Sequence, residues 1–432
     1  SFWPRVVISL VCGAGLALAG LLFQRVLQNP LAEPGTLGIA AGANLSMSAA
    51  LVFAPNLLAI GLPLLALMGS ATAIFILVAL TARQGFVPMS VILVGMVISL
   101  YGNSLNTLLV LFNHDYLSDL FSWQAGTLTQ SGWRSSELLF ITLMLALLAA
   151  LLLSRPLTVM GLSDQHANAL GMSVRQVRIM SLGVAVVLSA MITSQVGIIS
   201  FIGLAAPAIT KACGLRRFSQ QLIATVLAGA LLLLLVDQLA LRYSPTAGDI
   251  PAGAVTSLLG APLLLMLLIR QRTVSPPQIP RGSSAKPTFT TLQLSMLLML
   301  LLLVLPASLW FNREPSNAMA LHLLAWRWPR VIGALCAGMM LACAGVLIQR
   351  LTNNVMASPE LTGISSGAAL AIILTTVLTH EPLASLLPAA MAGSVIAMML
   401  LFLFGARSQF NPEKMVLIGL SFTSLASSLT MI

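Results

Sequence analysis

Trp3–Leu45 reads WPRVVISLVCGAGLALAGLLFQRVLQNPLAEPGTLGIAAGANL, and Trp328–Leu370 reads WPRVIGALCAGMMLACAGVLIQRLTNNVMASPELTGISSGAAL. At a constant offset of 325 the Trp-Pro-Arg opening coincides, as do Gly13/Gly338, Gly20/Gly345, Gln24/Gln349, Arg25/Arg350, Asn29/Asn354, Pro34/Pro359, Gly38/Gly363 and Gly42/Gly367. Solenoid repeats recur every 20–50 residues or so. A period this long instead implies two large homologous domains joined head to tail, each organised around an apolar helix.

Apolar residues make up 58% of the 432-residue chain and charged residues 7%, where a soluble domain carries about 25% charged. With a mean hydropathy of +0.99, the chain cannot solvate the surface of soluble domains and reads as an integral membrane protein. Apolar runs fall at roughly 5–25, 36–54, 61–82, 87–111, 136–154, 174–194, 198–213, 219–241 and 253–270, then 291–310, 330–350, 361–379, 384–405 and 414–432. That is about 14 segments, most long enough to cross a hydrocarbon core as helices. The runs are continuous rather than alternating, which excludes a β-barrel reading. The expected fold is therefore an all-α polytopic bundle of two homologous halves in tandem. Two equivalent halves in one membrane suggest a pathway between them.

Placing Arg5 outside leaves only Arg134, Arg242, Arg313, Arg327 and Arg330 with it on the outer side, so 15 of the 21 basic residues fall inside, as topogenic charge should. The net charge of +10 is scattered over short loops, which speaks against nucleic acid as a partner. The stretch 271–290 is basic and rich in proline and serine, an extended tether separating a first repeat, 1–270, from a second, 291–432. The second half has an apolar run ahead of its Trp-Pro-Arg element that the first lacks, and the first continues well beyond the point matching Ile432. Both halves read as incomplete.

Several motifs invite a function. Gly38/Gly42 and Gly363/Gly367 are GxxxG pairs that allow close helix approach. The inner segment 161–178 has Asp164 at an N-cap position and Gly171 at a turn; a knob docking on a soluble partner and an ordinary loop are both open readings. Gly197–Pro207 (GIISFIGLAAP) suits either a broken helix lining a cavity or a short packed one. Asp237 is the one carboxylate deep in an expected span; a functional intramembrane acid and a structural pair with nearby Arg242 are both open readings. The outer arginines suit either contact with acidic groups of an external protein or interfacial snorkelling. There is no GxxxxGK[ST] loop, no spaced His/Cys cluster and no nucleophile elbow, so neither ATPase, metal site nor enzyme is indicated.

WPR with its following AG and Gln, NPLAEPGTLG, FSWQAGTL, ALGMSVRQVR, GIISFIGLAAP and IPAGAVTSLLGAP together resemble the permease subunits of bacterial ATP-driven importers for iron–siderophores and vitamin B12. The resemblance implies ten-helix halves in the inner membrane that take no cofactor themselves. It implies two copies of a separate ABC ATPase that bind ATP and Mg, and a periplasmic siderophore-binding protein. Asp164, Ala167, Leu170 and Gly171 would lie in the ATPase-coupling segment. Arg5, Arg242, Arg327 and Arg330 would meet the binding protein, with Phe2 standing where a second arginine would be in the first copy. Ala208 and Lys211 depart from the His and Arg that relatives often carry. A fused tandem chain implies iron(III)-hydroxamate as the substrate, with cobalamin or catecholate-iron as alternatives. Asn103, Asn106 and Trp123 are candidates for the substrate path, against a reading as ordinary packing. An ion-coupled transporter, which would want more buried acids than Asp237, and a non-transporting receptor are the rival classes.

Overall fold

The computed structural model describes residues 2–29, 32–82, 85–113, 126–130, 132–160, 171–215, 217–247, 251–270, parts of 293–304, 317–352, 358–379, 386–407 and 412–431. These form two units, one of residues 1–271 with 360–432 and the other of residues 272–359. In the larger unit the helices are α1 (Phe2–Val26), α2 (Ile39–Phe53), α3 (Leu62–Ala82), α4 (Pro88–Phe112), α5 (Arg134–Leu152), α6 (Ser154–Met160), α7 (Val174–Val196), α8 (Ile202–Ala212), α9 (Phe218–Ala247) and α10 (Ala252–Arg270). After the smaller unit's α11 (Asn317–Thr352), the larger unit resumes with α12 (Ile364–Thr379), α13 (Leu386–Arg407) and α14 (Pro412–Met431). No strand occurs among the described residues. Eight of these helices are long and apolar enough to cross a membrane, and four shorter apolar ones accompany them.

The repeated element becomes α1, and α1 is the axis of the larger unit. Its apolar window is 83% buried, against 28–39% for α3, α4, α5 and α9. It packs on α9, α7, α8 and α5. In lipid such packing comes from van der Waals contact and close backbone approach rather than from hydrophobic burial. The glycines supply that approach: a Cβ at Gly13 would collide with the Gly229 carbonyl of α9, and one at Gly20 with the backbone of Gly203 in α8. Elsewhere in the unit, Gly42 meets Gly69 across α2 and α3, and Gly367 meets Gly393 across α12 and α13.

The other member of each GxxxG pair serves differently. Gly38 (φ 82°) and Gly363 (φ 78°) precede their helices in the left-handed conformation, which a Cβ disfavours. Each also abuts a neighbouring helix, Gly38 at Ile98 of α4 and Gly363 at Phe422 of α14. α11 begins at Asn317 and runs through Pro329, earlier than the start near 330 expected from sequence, where the Trp-Pro-Arg element read as the beginning of the helix.

Gly20→Val is expected to force α1 and α8 apart at a cost of about 1–3 kcal/mol or more. Gly183, beside which a Cβ meets open space, is the matched control. Loss of monodisperse protein on heating in detergent, earlier for Gly20→Val than for Gly183→Val, is the expected result.

Candidate functional site

α7 stops at Val196 and α8 does not begin until Ile202. Between them Gly197 (φ 77°) turns the chain, and Phe201, at φ 70°, enters α8 from the left-handed region. Such a conformation is unusual for a bulky side chain. Phe201 is held there by burial against Leu204 and Ala261, with Gly260 so close that a Cβ would strike the Phe201 side chain. The Gly197–Pro207 stretch is thus a broken helix, and α8 is 11 residues long. Backbone groups freed by the break must be satisfied inside the protein. An irregular segment supplies one partner, the Thr127 N–H donating to the Val196 carbonyl at 2.9 Å, and that segment is itself held by the Ala252 N–H donating to the Gly126 carbonyl at 2.9 Å.

The start of α8 rests on the C-terminal end of α1. Gln24 Nε2 donates to the Gly203 carbonyl at 3.1 Å, beside the Gly20–Gly203 contact. Glu33, in the turn between α1 and α2 and outside both spans, is placed so that its carboxylate accepts from the backbone of Phe201; burial nevertheless pushes it up to about 7. The next residue on α1 faces elsewhere. Arg25 donates from Nε to the Leu157 carbonyl at 3.0 Å and from an Nη to the Thr158 carbonyl at 3.3 Å. Its guanidinium lies 5.6 Å from the ring centroid of Phe218 at the start of α9. Gln28, with φ 48°, donates to the Met160 carbonyl at 3.4 Å. Three carbonyls in the last turn of α6, where a helix has acceptors to spare, are thereby capped from α1 and the turn that follows it.

At the N-terminal end of α1, Arg5 forms a fork on Asp237: Nε at 2.9 and 3.2 Å from the two carboxylate oxygens and an Nη at 2.8 Å. The other Nη lies 3.3 Å from the Thr129 hydroxyl. Asp237 is fully buried, and the Arg5 side chain is 19% exposed. This corrects the expected Asp237–Arg242 pair. Five residues along a helix is a rotation of about 140°, so Arg242 faces away and is exposed. A docking role for Arg5 has to compete with this ion pair. In the smaller unit Arg330 is exposed, while Arg327 is half-buried with a partner of its own.

Of the other candidates, Asn106 is buried and its Oδ1 accepts from Ser48 of α2 at 2.6 Å, a bond that joins α2 to α4. Asn103, on the same helix, is exposed. Gly171 is an exposed left-handed turn residue with open space about it. Trp123, Asp164, Ala167 and Leu170 lie outside the described residues. Arg178, counted from sequence as an inner-side charge, is buried on α7 and donates to the Phe86 carbonyl at 3.3 Å. Among the described residues no His, Cys, Asp and Glu cluster could hold a metal.

Two stability experiments follow from the carboxylates. Breaking a buried ion pair costs about 3–5 kcal/mol when it strands a charge. Arg5→Ala is therefore expected to lower the thermal midpoint in detergent more than Asp237→Asn, which leaves Arg5 a route to water. For Glu33 the folded protein holds its proton to a higher pH than the unfolded chain. Its contribution to stability is thus present at low pH and falls as pH rises from the ordinary value of 4.5 to about 7. A thermal midpoint that drops over this range in the parent, relative to a flatter Glu33→Gln, is the expected difference.

Comparison with known proteins places this geometry. Residues 1–270 and 289–432 match the FecCD transport family. Along its whole length the chain is 41% identical to the iron(3+)-hydroxamate import system permease protein FhuB of Escherichia coli (strain K12), covering 66% of that protein. It is 40% identical over 99% of its length to FhuB of Salmonella typhimurium, covering 64% of it. The chain thus spans about two thirds of the length of these relatives. Over 63% of the chain it is 33% identical to the vitamin B12 import system permease protein BtuC of Yersinia pestis, covering 81% of that protein. A solved structure described as a metal-chelate type ABC transporter, in an inward-facing conformation, superposes with a TM-score of 0.56 and 28% identity, covering 62% of this chain and 87% of that one.

Proposed function

The chain belongs to the FecCD transport family, and from that membership we propose that it is the membrane permease of an importer carrying iron(III)-hydroxamate chelates into the cytoplasm. The observation that carries the substrate assignment is the match to a hydroxamate permease at 41% identity over all of this chain, both repeats included. The vitamin B12 and iron(3+) dicitrate permeases align with about three fifths of it at 33–34% identity, as do the iron(3+)-hydroxamate permeases FhuG and FhuB of Bacillus subtilis at 35% and 30%. In this reading residues 1–270 and 291–432 are parts of two permease repeats joined by 271–290, in the bacterial cytoplasmic membrane. Two copies of a separate ABC ATPase supply the ATP and Mg sites.

The broken helix suits such a role. Unwound backbone inside a bundle is where transporters build pathways, and movement of one half against the other gives alternating access. The 161–171 segment, which follows α6 directly, is the proposed ATPase contact through Asp164, Ala167, Leu170 and Gly171. Arg242 and Arg330, both exposed, are the stronger docking candidates for an acidic binding protein, with Arg327 and the paired Arg5 behind them. Asn103, Asn106 and Trp123 stay as proposals for the substrate path, and Asn106 would have to leave Ser48 to take part.

The test is uptake by the full-length protein in cells lacking their own permease, with and without the ATPase. ATP-dependent uptake of an iron-loaded hydroxamate, and not of cobalamin or a catecholate–iron chelate, is expected. Accumulation of cobalamin instead would replace the substrate, and accumulation without the ATPase would overturn the mechanism.

A further inference from the structure

Gln24 and Arg25 are adjacent on α1, and their side chains reach different helices. Arg25, with Gln28 one turn on, grips the Leu157, Thr158 and Met160 carbonyls at the end of α6. Gln24 grips the Gly203 carbonyl in the first turn of α8, where Gly20 lets the two backbones touch and the turn after α1 brings Glu33 to Phe201. α6 leads directly into the 161–171 segment, and α8 is the short helix that follows the break at Gly197. We propose that the Gln24–Arg25 pair is a mechanical tie, a pair of positioning residues that makes the end of α6 and the start of α8 move as one body.

Three features of the contacts favour a tie over simple packing. First, the bonds run from long, donor-rich side chains to backbone carbonyls, so they follow the main chain of α6 and α8 and not a rotamer. Second, Arg25 engages two successive carbonyls as a fork and is braced on its open face by the Phe218 ring, an arrangement a lysine cannot copy because it presents a point charge. Third, Gln24 and Arg25 sit together in the last turn of a helix that is mostly buried, so little of a displacement is absorbed by bending. The same Gln-Arg pair recurs as Gln349-Arg350 at the matching place in the second copy, which is where a symmetric machine needs its second tie.

The inference rests on the reading of 161–171 as the ATPase contact, and the experiment separates the two. The full-length protein, its ATPase and its binding protein are reconstituted in proteoliposomes. Hydroxamate uptake and ATP hydrolysis are measured on the same vesicles for the parent, Arg25→Met, Arg25→Lys, Gln24→Met and the double variant Gln24→Met/Arg25→Met. Co-purification of the ATPase and the thermal midpoint are recorded for each. The tie predicts that Arg25→Met and Gln24→Met keep the ATPase bound and hydrolysing while uptake per ATP falls by about tenfold or more. Arg25→Lys should be intermediate. Because the two residues act in series, the double variant should be no worse than the more damaging single one, a non-additivity expected of linked residues. If uptake per ATP stays at the parental value in the single variants, the tie is wrong. It is equally wrong if uptake and hydrolysis fall in parallel with the thermal midpoint, as a purely structural role requires. Failure of the parent itself to retain the ATPase would overturn the importer reading instead.

Discussion

A break in a membrane helix obliges the surrounding protein to supply hydrogen-bond partners that lipid cannot, and the larger unit is arranged around that obligation. Between Val196 and Ile202 the chain is not helical. The 126–127 stretch answers one end of the gap, bonding to Val196 and to Ala252. At the other end Gln24 and Gly20 of α1 hold the first turn of α8. The break is thus built into the packing, and α1 must lie at the centre to serve it. This accounts for the density of small residues along α1, since only side-chain-free positions let three neighbouring helices approach its backbone.

α1 is pinned at both ends by arginine, with different physics at each. At the N-terminal end, Arg5 neutralises a carboxylate that has no contact with water, and the low dielectric makes the pair costly to break although weak evidence of net stability. At the C-terminal end, Arg25 has no acid partner in its described contacts. It satisfies helix-end carbonyls and an aromatic face, interactions that are directional and modest singly. The N-terminal pair fixes α1 to α9, and the C-terminal contacts fix it to α6 and α8. Force entering at the end of α6 therefore meets a helix that is anchored at its far end.

Much of this was legible from sequence because it concerns periodicity and backbone permission. The repeat, the helical spans and the interruption near Gly197–Pro207 follow from residue type and order, whereas Gly38 and Gly363, which the GxxxG spacing placed on a helix face, are left-handed residues ahead of their helices. The partners did not follow, because they are set by tertiary approach. Asp237 looked toward Arg242, five residues off, and found Arg5, 232 positions away. Arg25 and Arg178 were indistinguishable from topogenic charges, since the positive-inside rule counts a buried arginine and a surface one alike. Asn106 carried an amide in an apolar helix, but only the fold shows that Ser48 occupies it. Nothing in the order Ala32-Glu33-Pro34 announces that the carboxylate meets the entrance of a half-helix. The recurrence of Gln24-Arg25 at Gln349-Arg350 was the one available hint that this pair does more than face the cytoplasm.

Central to the account is that α6 and α8 travel together. The direct measurement is a spin-label distance between Arg155→Cys on α6 and the native Cys213 at the end of α8, both exposed. Cys12, Cys336 and Cys343 are replaced by alanine in the full-length protein, which is held in nanodiscs with its ATPase. A single distance that does not change on adding a non-hydrolysable ATP analogue, and that shifts or broadens with the analogue once Arg25→Met is introduced, is the predicted result. A nucleotide-dependent shift with Arg25 in place, or no difference between Arg25→Met and the parent, would contradict it.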